Sequence, residues 1–135
     1  MGFISKDVHP GNFCMGLQSA SNVRKDTLFM IDFGSAESYI GRKRRVVCNR
    51  KAVPCGWYHS KSVSQGMVAS RRDDLESLGY MLIYLLKGGL PWYDPTKVEK
   101  PPNSAAESLA IKLETSIDDL TRELPVEFAK YFTDI

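Results

Sequence analysis

Ser70-Arg71-Arg72-Asp73-Asp74-Leu75-Glu76-Ser77-Leu78-Gly79-Tyr80, continuing as Met81-Leu82-Ile83-Tyr84-Leu85-Leu86, is the stretch that decides how this chain folds. Ser70 is a good helix N-cap, and Asp73 stands at the capping-box position behind it. Asp73 and Asp74 also put negative charge on the positive end of the helix dipole. Leu75, Leu78, Gly79 and Leu82 recur at helical spacing, while Tyr80, Met81, Ile83 and Tyr84 make the remaining faces apolar. A helix apolar on every side is a buried one, so the spacing predicts a fully enclosed core helix. Gly88-Gly89 can supply a left-handed C-cap, and Pro91 forbids continuation.

Working outward toward the C-terminus, Pro91 to Asn103 carries Pro91, Pro95, Pro101 and Pro102 and reads as irregular loop. Helices are predicted over Ser104–Lys112 and Ile117–Arg122, and a last one from Pro125, a residue tolerated in the first turn. On the N-terminal side, Asn12-Phe13-Cys14-Met15-Gly16-Leu17 and Thr27-Leu28-Phe29-Met30-Ile31 are short apolar runs suited to strands, with polar Gln18 to Asp26 between them. Paired antiparallel, they make a hairpin. Ser35 to Ser64 lacks periodicity and reads as one long functional loop. Its basic run, Gly41-Arg42-Lys43-Arg44-Arg45, fits a nuclear-localisation or nucleic-acid patch. A solvated loop or a docking surface for acidic substrate is the favoured reading. The fold class is therefore mainly α with a small β-hairpin.

Composition narrows the function classes. The chain has 135 residues, 43% hydrophobic and 25% charged, the profile of a folded protein. A formal charge of +2 gives no independent reason to expect nucleic acid or a membrane surface as a partner. The 3 cysteines, Cys14, Cys48 and Cys55, form neither an even disulfide set nor a C-x-x-C pair, which fits a reducing intracellular compartment, cytoplasmic or nuclear. No basic flank and apolar run of a secretory signal opens the chain. The most apolar run, Leu78 to Leu86, is about half the ~20 residues of a membrane span.

The chemistry sits near the N-terminus, in Ser5-Lys6-Asp7-Val8-His9-Pro10-Gly11-Asn12 and Ile31-Asp32-Phe33-Gly34. Asn12 starts the first strand and Asp32 follows the second, so both fall at the open end of the hairpin. Amide and carboxylate oxygens are hard ligands, and magnesium commonly takes one or two such groups together with substrate phosphates. Asp7 beside them could orient a hydroxyl nucleophile. Singly, Asn12 and Asp32 read as turn caps; with Asp7, the site reading is favoured.

The run Ser70 to Tyr80, followed by Gly89-Leu90-Pro91-Trp92, closely resembles the buried central helix of the casein kinase 1 family of serine/threonine protein kinases. Asp7 through Asn12 resembles the kinase catalytic loop, Asp32-Phe33-Gly34 the magnesium-binding motif, and Pro125-Val126-Glu127-Phe128-Ala129 a late helix start of the family. The resemblance implies the C-terminal lobe of the protein-kinase (α+β) fold, incomplete and without the small N-terminal lobe, with residues 1–135 as one partial domain. It implies Asp7 as the base for a Ser or Thr hydroxyl, and Asn12 and Asp32 as magnesium ligands beside ATP. Asp74 would accept hydrogen bonds from backbone amides of the catalytic loop, and Arg71 would bind a substrate anion. The implied partners are protein substrates, acidic or already phosphorylated, with nucleic acid disfavoured and no membrane.

Departures from the family pattern lower the expected activity. His9 stands where the family's loop has its phosphate-contacting lysine, and an imidazole is mostly neutral at pH 7 where an ammonium is charged. Cys55 stands in for a threonine that joins the base to that lysine, and a thiol is the poorer hydrogen-bonding group. One lost preorganised contact of this kind typically costs ~10²–10³ in rate. The Gly-rich loop, ATP-positioning lysine and hinge of the small lobe have no counterpart before Met1. Two functions follow from different classes. One is part of a phosphotransferase whose parent phosphorylates Ser/Thr; the other is an inactive lobe serving as a binding or scaffold module.

Overall fold

The computed structural model describes residues 2–16, 26–39, 56–96 and 105–135. Among them are strands β1 (Phe3–Ile4), β2 (Phe13–Met15), β3 (Leu28–Met30) and β4 (Glu37–Ser38). Helices α1 (Lys61–Ser64), α2 (Arg71–Lys87), α3 (Ala105–Glu114), α4 (Ile117–Thr121) and α5 (Val126–Asp134) follow. The result is a small α+β arrangement of five helices and two small antiparallel sheets. No described helix is long and apolar enough to cross a membrane.

α2 begins where its caps dictate. Asp73 Oδ2 accepts from both the backbone N–H and the hydroxyl of Ser70 at 2.7 Å. It ends at Gly88, whose φ of 76° is the left-handed conformation a side chain disfavours and whose N–H donates to Tyr84 O at 2.8 Å. Pro91 then sits in a tight turn closed by reciprocal backbone bonds between Leu90 and Tyr93, both 2.8 Å.

The core lies along α2. Tyr80 and Ile83 are buried with Leu90, Trp92 and Leu120, and α5 closes over them through Phe128 and Phe132. Each fully buried side chain of this size contributes roughly 1.5–3 kcal/mol. The Tyr80 ring meets Trp92 edge-on at 4.9 Å and stacks on Phe132 at 5.4 Å. The close approach of α5 depends on Gly79, because a Cβ there would lie 2.5 Å from the tip of the Phe132 ring. Tyr131 adds a polar tie, its hydroxyl donating to Leu75 O at 2.8 Å.

Two expectations need correction. α2 is not enclosed on all sides: Leu75 and Leu82 are exposed, and Leu85 and Leu86 are 60% and 61% accessible. The buried stripe follows Tyr80 and Ile83, and no described element covers the opposite face. Nor is the segment after Ser35 uniformly irregular. Glu37–Ser38 pairs with Phe3–Ile4 as a second two-stranded sheet, and Lys61–Ser64 forms a helical turn capped by Ser60. The basic run Arg42–Arg45 lies outside the described residues.

The expected hairpin is present, with Phe13 opposite Met30, Cys14 opposite Phe29 and Met15 opposite Leu28. It carries little apolar cover of its own. Met15, Leu28 and Phe29 are exposed, as are Ile31 and Phe33 just beyond it and Phe3 in β1 of the other sheet.

Candidate functional site

The loop carrying Asp7 is positioned by the first turn of α2. Asp74 accepts from the backbone N–H groups of Ser5 and Lys6, at 2.5 and 2.9 Å, one on each carboxylate oxygen. Charge-assisted bonds of this kind are about twice as strong as neutral ones. They hold Lys6 at a φ of 64°, a left-handed backbone that costs on the order of 1 kcal/mol or more in a non-glycine residue. Lys6 also reaches Glu37 of β4 at 3.2 Å, so the second sheet braces the loop from the side. Beyond Asp7 the chain makes a single 3-10 turn, Pro10–Asn12, capped by His9.

Asp7, His9 and Asn12 are brought together. The buried Asn12 amide donates through Nδ2 to the Asp7 carbonyl at 2.9 Å and to its carboxylate at 3.3 Å. That commitment turns the nitrogen toward Asp7 and leaves the amide oxygen as the atom able to meet a cation. His9 Nδ1 accepts from the Gly11 N–H at 3.2 Å. The bond assigns the proton of a neutral ring to Nε2, which lies 3.6 Å from Asp7 Oδ1.

Asp32 is placed by the hairpin. The Ile31 N–H donates to Asn12 O at 2.9 Å as the last bond of the ladder, so Asp32 follows directly at the open end. It is exposed, its φ is 56°, and its Oδ1 accepts from the Gly34 N–H at 3.1 Å in a tight local turn. Among the described residues no group of three or more His, Cys, Asp or Glu side chains is arranged to hold a metal by itself. Asn12 and Asp32 fit a hard cation only as a partial set of oxygens, completed by oxygens of a bound anion.

A cleft of about 420 Å³ opens beside Asp7, lined by Asp7, Val8 and His9 on one side and by Gly56, Trp57, Tyr58 and His59 on the other. The second wall falls within the stretch read from the sequence as a long functional loop, although that reading assigned a role only to Cys55. Its Ser60 hydroxyl, fully buried, donates to Asp73 Oδ1 at 2.6 Å. Its Trp57 carbonyl accepts from Trp92 Nε1 at 2.8 Å, and the Trp57 ring stacks on Tyr93 at 3.6 Å. Both walls therefore hang from consecutive residues of α2, Asp73 and Asp74.

Two residues of the second wall, His59 and Tyr58, are perturbed by their surroundings. Burial and the neighbouring Lys112 ammonium push the His59 imidazole below the ordinary value, Asp7 opposing and His9 adding slightly. Burial, reinforced by Tyr84 and Tyr93, pushes the Tyr58 hydroxyl well above the ordinary phenol value, so it stays protonated. Arg71 stands apart from the cleft, exposed, with its guanidinium 4.9 Å over the Tyr39 ring. Cys55 lies outside the described residues.

The arrangement offers a carboxylate oriented by an amide, a cleft for a side chain, and hard oxygens at the adjoining hairpin end. It is suited to holding a hydroxyl against an anionic, cation-bound group. No protein-family model matches the chain.

Proposed function

We propose that this cleft is the acceptor side of a protein-kinase-like phosphotransfer site, related to the casein kinase 1 family, with Ser or Thr of an acidic or phosphorylated protein segment as acceptor. The observation that carries the reading is the joint placement of Asp7 and Asn12, with Asp32 at the adjoining end of the hairpin. Asp7 would orient the hydroxyl and take its proton as the oxygen attacks, the role of the aspartate in a kinase catalytic loop. Asn12 holds the Asp7 carboxylate in place through Nδ2. With Asp32 it would present oxygens to magnesium, which supplies charge neutralisation on the ATP phosphates. The exposed Arg71 would meet an anionic group of the substrate segment. Catalysis of this kind is mostly positioning and electrostatics, and Asp74 positions the loop through the Ser5 and Lys6 amides.

One observation favours a second reading, an inactive lobe that binds protein segments. His9 stands where the family's loop has a lysine, its Nδ1 accepting from the Gly11 N–H and its Nε2 3.6 Å from Asp7 Oδ1, so the loop carries no ammonium to reach a transferring phosphate. Incubation with magnesium, labelled ATP and an acidic serine peptide separates the two. Slow label transfer that disappears in Asp7→Asn is expected for the enzyme. Equal label in wild type and Asp7→Asn contradicts it, and peptide binding untouched by that substitution then favours the module.

A further inference from the structure

Lys112, in the last turn of α3, is 0% accessible. Its ammonium points at the cleft wall, donating to His59 O at 2.7 Å, with Gly56 O and Ser64 Oγ each at 3.4 Å. The faces of Trp92 and Tyr80 lie 5.0 and 5.5 Å away. A buried cation is retained only when carbonyls and ring faces replace its water, and removing it leaves those carbonyls unpaired. The carbonyls it satisfies belong to the turn that aims His59, whose N–H also closes on Gly56 O at 3.0 Å. His59 Nδ1 in turn accepts from the Gly56 N–H at 3.2 Å. Gly56 is required for that seat, since a Cβ there would sit 2.9 Å from the ring.

We propose that Lys112 is a positioning residue for the Asp7 cleft: it fixes the Gly56–Ser60 wall and places a permanent positive charge behind the His59 ring, across from Asp7. The charged and titratable groups that act on His59 are Lys112 from α3 and Asp7 and His9 from the facing loop. Of these, Lys112 is the strongest. Burial first, and this charge second, favour the neutral imidazole, with its proton on Nε2 because Nδ1 accepts from Gly56, as a donor lining the cleft rather than a second cation competing for Asp7.

The test is an NMR titration of the His59 ring in the full chain, in wild type, Lys112→Met and Trp92→Phe. The wild-type midpoint is expected below the ordinary imidazole value, and a midpoint at or above it overturns the proposal. In Lys112→Met the midpoint should rise and amide exchange at 59–60 should quicken. In Trp92→Phe, which removes a different tie to the wall, the Trp92 Nε1 bond to Trp57 O, the midpoint should stay near wild type. An equal rise in both variants would assign the effect to loosening alone and overturn the charge role. Should Lys112→Met fail to fold, wild-type spectra still decide. Slowly exchanging ammonium protons with cross-peaks to the Trp92 ring support the proposal, and a mobile, rapidly exchanging Lys112 contradicts it. None of these readouts requires phosphoryl transfer, so their failure is distinct from failure of the kinase reading.

Discussion

The first turn of α2 and the body of the same helix hold their neighbours by different forces. Along the body, Tyr80 and Ile83 are enclosed by Trp92, Leu120 and Phe132, and the attraction is burial of apolar surface. At the first turn, Asp73 and Asp74 accept from Ser60, Ser70, Ser5 and Lys6. Apolar burial is shared by many contacts and tolerates small shifts. A carboxylate accepting two amides is directional and fails when either oxygen moves. The difference suits a helix that must be a rigid core at one end and must set two loops at the other.

The largest effect is expected at the body of α2. Trp92→Ala removes a ring enclosed on all sides, together with the donor to Trp57 O. The expected loss is about 3–5 kcal/mol in denaturant unfolding. A loss under about 1 kcal/mol would mean that the aromatic cluster is not what holds the helices.

A smaller effect comes from pH. The folded-state pKa of His59 is depressed, so between it and the unfolded value of 6.5 the unfolded chain binds more protons. His59 therefore favours the folded state above about pH 6.5, and that contribution is lost as pH falls through the folded-state value. Thermal midpoints should fall over this window, and the fall should shrink in His59→Gln; an identical profile in that variant would remove His59 as the cause.

Sequence reasoning reached the parts whose causes are local. The caps of α2, Ser70 with Asp73 at one end and Gly88 at the other, are short-range devices that act wherever they occur. The apolar runs of the hairpin and the start of α5 at Pro125 are equally local. What escaped depends on distant chain. β1 and β4 are two-residue strands whose pairing has no periodic signal. Lys112 becomes buried only because the turn at Gly56–Ser60 offers it carbonyls, and His59 becomes a cleft residue only because Asp74 brings Asp7 opposite. The exposure of Leu85 and Leu86 reflects what does not pack there, which helical spacing cannot encode. The kinase-like roles proposed for Asp7, Asn12 and Asp32 rest on their residue types and spacing together with the family resemblance. The geometry adds to them a hydrogen-bonded Asp7–Asn12 pair and an exposed Asp32 at the ladder's end.

The Asp7 loop is anchored at both ends by the buried Ile4 and Val8, and the first turn of α2 sets its backbone course between them. Amide hydrogen exchange on Asp74→Ala tests that setting most directly. Exchange at Ser5 and Lys6 should accelerate sharply, while the amides of Tyr80 and Ile83 keep their wild-type protection. Unchanged exchange at Ser5 and Lys6, or a uniform rise across α2, would contradict it.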